Sequence, residues 1–230
     1  MKYSKLYGIQ GAKKATGLVI IIDIFRAATV AAFILDKGAK YIIPVSTKEE
    51  AFILKEQNKN HILVGEEKGY KIPEFDFGNS PSELKHTKLK DKIIIHRSSM
   101  GTQGILAARK AKQILFGSFP VLSAIVNYVK KMGFKQLSLV VMDGKGSEDD
   151  MFADFVIAKL EGNMNDINLV KKILLKHKGA GRFLDPKQPE FPKEDFDLCL
   201  SLDLFNFVPL VGEEQGRKII KAQKTTSGVA

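Results

Sequence analysis

The chain has 230 residues, 44% of them hydrophobic and 27% charged, and its 36 Lys+Arg outnumber 26 Asp+Glu to give a formal net charge of +10 at pH 7. This length and apolar content can fill a sizeable core, which excludes a disordered protein. The single Cys199 cannot form an internal bridge, so the reading is a reduced, cytoplasmic protein. The longest apolar stretch, residues 18–35, carries Asp23 and Arg26, charges that a membrane span or a signal peptide would not tolerate there, so no membrane partner is expected.

Runs rich in Ile and Val predict strands, in chain order, at residues 18–22, 41–45, 62–64, 93–95, 114–116 and 137–142. Between them Val30, Ala31, Ile34 and Leu35 share one helical face, as do Leu122, Ile125, Val126 and Val129, and later Phe152, Phe155 and Val156. A further helix is expected after Thr102, carrying Ile105, Ala108 and Ala111. Strands apolar on both faces that alternate with helices imply an α/β protein, a three-layer α/β/α arrangement with a mostly parallel sheet, over residues 1–161. From residue 162 the pattern changes. A lysine-bearing helix at 169–178 precedes a segment at 179–192 whose Pro186, Pro189 and Pro192 predict a loop or lid. A smaller carboxyl-terminal unit, 162–220, then packs on the same domain, and a polar tail, 221–230, is expected to fray. Cys199, between Leu198 and Leu200, reads as buried packing, while Phe205, Phe207 and Leu210 fit either core or a homo-oligomer interface.

In a parallel α/β sheet ligands bind beyond the carboxyl ends of the strands, so the polar residues there are the first candidates. They are Asp23, the pair Glu66 and Glu67, Arg97 with Ser98 and Ser99, Ser118, and Asp143. Ser98, Ser99, Gly101 and Thr102 at a helix start suit either a plain cap or an anion held by backbone N–H groups. Glu148, Asp149 and Asp150 open another helix, where carboxylates favour the dipole. Together with Asp23 and Glu66, one of them also fits a Mg²⁺ site, which wants oxygen ligands. Arg26, three residues after Asp23, offers a planar fork to phosphate, sulfonate or carboxylate, or else pairs with Asp23. Neither a P-loop nor a dinucleotide glycine turn is present, and His61, His86, His96 and His177 lack zinc-ligand spacing. Lysines at 85–92, 130–135 and 171–178 lie between apolar elements without interleaved aromatics, which argues against nucleic acid and for a basic surface that attracts small anions.

The blocks Ile22-Asp23-Ile24-Phe25-Arg26-Ala27-Ala28-Thr29, Gly65-Glu66, Phe75-Asp76-Phe77-Gly78-Asn79-Ser80-Pro81, Arg97-Ser98-Ser99-Met100-Gly101-Thr102 and Glu148-Asp149, in this order, resemble the 2-phosphosulfolactate phosphatase family. The resemblance runs over residues 17–211. It implies an Mg²⁺-dependent phosphatase of a coenzyme M biosynthetic route, acting on a small phosphorylated anion, with Asp23, Arg26 and Asp149 catalytic. Asn79, Ser80, Arg97, Ser98, Ser99, Gly101 and Thr102 would then bind substrate, and Asp23, Glu66, Glu148 and Asp149 would hold the metal. Asp23 fits metal ligand, general base or nucleophile alike. The chain departs from the family at Met100, where an Asn is usual, and at Glu67, where an Arg is usual. Those exchanges support an alternative, a weakened or non-catalytic protein of the same fold that binds small anions.

Overall fold

A computed structural model describes residues 1–163, 166–176 and 178–224 of the protein. The strands are β1 (Lys2–Tyr7), β2 (Gly17–Ile22), β3 (Tyr41–Pro44), β4 (Ile62–Glu67), β5 (Tyr70–Lys71), β6 (Ile93–Arg97), β7 (Ala111–Gly117), β8 (Gln136–Val141), β9 (Phe207–Glu214) and β10 (Arg217–Lys224). The helices are α1 (Gly8–Lys14), α2 (Ala27–Asp36), α3 (Lys48–Gln57), α4 (Pro81–Leu84), α5 (Gly101–Ala107), α6 (Leu122–Met132), α7 (Glu148–Leu160), α8 (Ile167–Leu174), α9 (Lys178–Gly181) and α10 (Lys193–Cys199).

All strands join one mostly parallel sheet in the order β1-β8-β2-β7-β9-β10-β3-β6-β4-β5. β1, β8, β2 and β7 form one parallel block, and β3, β6 and β4 a second. The antiparallel hairpin β9–β10 joins them, β9 pairing with β7 and β10 with β3. Each of the six runs predicted from Ile and Val content forms a strand.

Alternation along the strands makes the layers. On β2, Leu18, Ile20 and Ile22 pack with α6 and α7, through Leu122, Ile125, Val129, Phe152 and Val156. Val19 and Ile21 face the opposite side, with Ala12 of α1, Val30 and Ile34 of α2 and Ile105 of α5. In the second block Ile42, Val64 and Ile94 share that side, while Ile43, Leu63 and Ile95 are covered by Ala51 and Leu54 of α3. Each fully buried Ile or Leu contributes about 1.5–3 kcal/mol of transfer free energy. Helix α2 was expected to bury one face. Instead every residue from Ala27 to Leu35 is buried, as befits a helix apolar all round, so the segment after Asp23 is enclosed on every side.

Two boundaries are corrected. The helix opened by Gly101 ends at Ala107, and Ala111 starts β7, because the charged pair Arg109-Lys110 turns the chain outward. Residues 221–224, expected to fray, instead complete β10 through pairing with β9; the rest of that expected tail, residues 225–230, lies outside the described residues. The expected loop at 179–192 contains a 3-10 turn, Arg182–Leu184, ahead of α10. The helix expected at 169–178 is α8, which Asp166 caps, but it ends at Leu174; residue 177 lies outside the described residues and Lys178 opens α9.

Candidate active site

Strand register assembles the centre of the site. Ile22 of β2 pairs with Gly117 of β7 on one side and Val141 of β8 on the other, so Asp23, Ser118 and the Met142-Asp143 stretch leave the sheet side by side. Asp23 is 7% exposed, and the Ala27 N–H at the start of α2 donates to its Oδ1 at 3.0 Å. The Gly101 N–H donates to the same carboxylate. Here a glycine is required by close approach: a Cβ on Gly101 would stand 2.6 Å from Asp23 Oδ2, 2.8 Å from the Phe116 ring and 2.9 Å from the Ala27 Cβ. Gly101→Ala should therefore displace the Asp23 carboxylate; if that carboxylate serves the reaction, kcat/KM should fall by about 100-fold, the order of effect of misplacing a reacting group by an ångström. Activity in the variant close to that of the wild type, with a native circular dichroism spectrum, would show that the Asp23 position is not critical.

Helix α7 brings up two more carboxylates. The Ser147 hydroxyl caps it, accepting from the Asp150 N–H. Asp149 Oδ1 accepts from the Ile24 N–H at 2.7 Å and its Oδ2 from the Asp143 N–H at 3.0 Å, so this side chain clamps the loops after β2 and β8 together. Glu148 lies beside it with Oε2 buried and no hydrogen-bond partner, and the Ser118 hydroxyl is likewise buried and unpartnered. Asp150 turns away to Lys5, at 2.9 Å.

Burial dominates the electrostatics. It pushes Asp23 up to about 7, with the charges of Glu66 and Asp143 adding to the effect and the Ala27 and Gly101 N–H groups opposing it. Glu148 is pushed up to about 8 by burial and by Asp143 and Asp23, against its own N–H and Arg182. Asp149 is held well above the usual carboxylate range by burial, then by Glu148 and Asp23. Among the described residues none of these three makes an ion pair with a Lys or Arg. A hard divalent cation fits this set. Its donors are all oxygens, Glu148 Oε2 has no other partner, and such an ion relieves the mutual repulsion. Among the described residues no three Asp, Glu, His or Cys side chains come together so as to hold a metal ion by themselves.

Other expected site residues are committed elsewhere. Glu66 accepts from the Ser99 N–H and hydroxyl and from the Gly69 N–H, so it staples the β4–β5 turn to the loop after β6 and leaves little capacity for a metal. Arg97 donates to the Glu66 carbonyl and the Ser99 hydroxyl and pairs with Glu67 at 3.4 Å, so the two residues neutralise each other. Ser98 and Thr102 cap each other, each hydroxyl accepting from the other's N–H at 2.9 Å. Met100 is 37% exposed at the mouth of this loop.

Arg26 does not pair with Asp23. Its guanidinium, 4% exposed, donates to Asp195 Oδ2 at 2.6 Å, to the Glu190 carbonyl at 2.7 Å and to the Gly69 carbonyl at 3.1 Å. Asp195 Oδ1 accepts in turn from the Ser80 hydroxyl and from the Ser82 N–H and hydroxyl. Asn79 Oδ1 accepts from His96 Nε2 at 3.0 Å, and burial pushes His96 down to about 3, which keeps it neutral. Arg26, Asn79 and Ser80 line a cavity of about 460 Å³ whose wall includes none of Asp23, Glu148 and Asp149. Sequence reasoning missed Asp195. Its signal was an acidic side chain sharing a helix face with Phe196 and Cys199, all three buried.

The family model described as 2-phosphosulpholactate phosphatase matches residues 7–214. Among curated proteins, the chain is 37% identical to a probable 2-phosphosulfolactate phosphatase of Thermoplasma volcanium, over 83% of this chain and 87% of that one. It is 32% identical to the protein of the same name in Bacillus subtilis, over 85% and 87%. With that of Carboxydothermus hydrogenoformans it shares 30% identity over 97% and 99%. The blocks around Asp23, Asn79, Arg97 and Glu148 are thus set in a chain that matches from β1 to β9, and the protein belongs to the 2-phosphosulfolactate phosphatase family.

Proposed function

We propose that the protein hydrolyses the phosphomonoester of 2-phosphosulfolactate, or of a closely similar small 2-phospho acid, with Mg²⁺ held by Asp23 and Glu148. The observation that carries this reading is the buried carboxylate group Asp23, Glu148 and Asp149, in which Glu148 Oε2 is buried without a hydrogen-bond partner. Mg²⁺, when bound there, would neutralise the charge that gathers on the phosphoryl oxygens as water displaces the alcohol. The chain's own contributions are distinct. Asp149 fixes the Ile24 and Asp143 backbones, and so holds the loop that carries Asp23 in place, which makes it a positioning residue. The N-terminal end of α5 at Gly101 directs backbone dipoles toward the same space and favours an anion there.

The test is inorganic phosphate release from 2-phosphosulfolactate. Release should require Mg²⁺, fall by more than about 100-fold in EDTA, and in Glu148→Gln need a higher Mg²⁺ concentration for half-maximal rate. A folded protein that releases phosphate equally well in EDTA would refute the metal role. No release from this ester or from a panel of small phosphate esters would leave an anion-binding protein of this fold.

A further inference from the structure

We propose that Arg182 selects substrates carrying a second acidic group, by offering its guanidinium fork to the sulfonate or carboxylate that accompanies the phosphate. The proposal rests on the hydrolase reading above and extends it to specificity. Three arginines stand around the site, and two have their donors engaged: Arg26 on Asp195 and two carbonyls, Arg97 on Glu66, Ser99 and Glu67. Arg182 differs. It is exposed, and no hydrogen bond or ion pair holds it among the described residues; its guanidinium instead lies 4.8 Å from the centroid of the Phe191 ring.

That stacking fixes the head group without consuming its N–H donors. Phe191 is itself buried and carries Arg26 at 4.7 Å, so one ring orients both guanidiniums. The β4–β5 turn makes room for them. Gly69 has φ +91°, and a Cβ there would stand 2.7 Å from the Phe191 ring and 3.3 Å from Arg182 Nη1. The same Gly69 donates to Glu66 and accepts from Arg26, which places Arg182 against the wall of the site. A cation with free, forked donors at the edge of a buried carboxylate and metal centre is suited to a substrate anion that the metal does not take. It comes from the 3-10 turn within the segment 179–192, the stretch that sequence analysis reads as a loop or lid.

Two measurements test this. In steady-state assays, Arg182→Ala should raise KM for 2-phosphosulfolactate at least 10-fold with little change in kcat, lower kcat/KM for p-nitrophenyl phosphate by a several-fold smaller factor, and be partly rescued by Arg182→Lys. Calorimetric binding of 3-sulfolactate, which has both acidic groups and no phosphate, should weaken at least 10-fold in Arg182→Ala while inorganic phosphate binds as before. Equal losses on both esters, or unchanged 3-sulfolactate binding, would overturn the proposal. Absence of turnover by the wild type would count against the hydrolase reading, and the binding measurement would still decide the role of Arg182.

Discussion

Asp23→Asn is expected to abolish phosphate release and, in metal-free buffer at pH 8, to raise the melting temperature. In the folded protein Asp23 is pushed up to about 7, first by burial. In the unfolded chain it ionises near 4. Between those values the unfolded chain has lost the proton that the folded protein retains, so the stability conferred by the protonated form is present below about pH 4 and gone above about pH 7. At pH 8 the folded protein carries the full cost of a buried charge, on the order of 4 kcal/mol. The amide removes that cost but forfeits one of the two contacts to the Ala27 and Gly101 N–H groups, worth about 1–2 kcal/mol. The net gain of about 2 kcal/mol corresponds to roughly 4–8 °C in a chain of this size. Thermal scans at pH 5 and pH 8 should show the gap between variant and wild type closing at the lower pH. Mg²⁺ should stabilise the wild type, more at pH 8 than at pH 6, and the variant much less. A variant that melts below the wild type at pH 8 would show that the two N–H contacts outweigh the charge. Stability given up at a functional carboxylate is a common trade.

The parts of this arrangement that were legible in the sequence are local. Ile and Val runs locate β2, β3, β4, β6, β7 and β8, and the residue after each run locates Asp23, Ser118 and Asp143, because strand ends in a parallel block fall on one edge. Strand β1 was not legible: Lys2, Tyr3, Ser4 and Lys5 have no apolar alternation, and the strand is held by its register with β8 at the sheet edge. The position of the hairpin β9–β10 between β7 and β3 was hidden for a different reason, since nothing local to residues 207–224 records which strands, paired at separations of 95 residues or more, will flank it. The same holds for side chains. That Arg26 and Arg97 carry forks was evident, but whether those forks face ligand or protein depends on Asp195, 169 residues distant in the chain from Arg26, and on the Glu66 carbonyl, 31 residues distant from Arg97.

Asp195→Ala should destabilise the protein by about 3–5 kcal/mol, because it strands the buried Arg26 guanidinium and removes the acceptor for Ser80 and Ser82. On the scale of this chain that is a fall of roughly 6–20 °C in Tm. The pair is 4% and 0% exposed, so solvent screening cannot soften the loss. Because desolvating two ions offsets much of their attraction, Arg26→Met combined with Asp195→Leu should recover most of the lost stability. Activity then separates two roles. Arg26 ties the loop after β2, which carries Asp23, to Gly69 of the β4–β5 turn and to Glu190 and Asp195 of the segment leading into α10. If this tie orients the site, the double variant regains Tm but not kcat; if Arg26 serves only to close the core, both return together. A loss below about 1 kcal/mol in Asp195→Ala would mean that Arg26 finds another partner when Asp195 is gone.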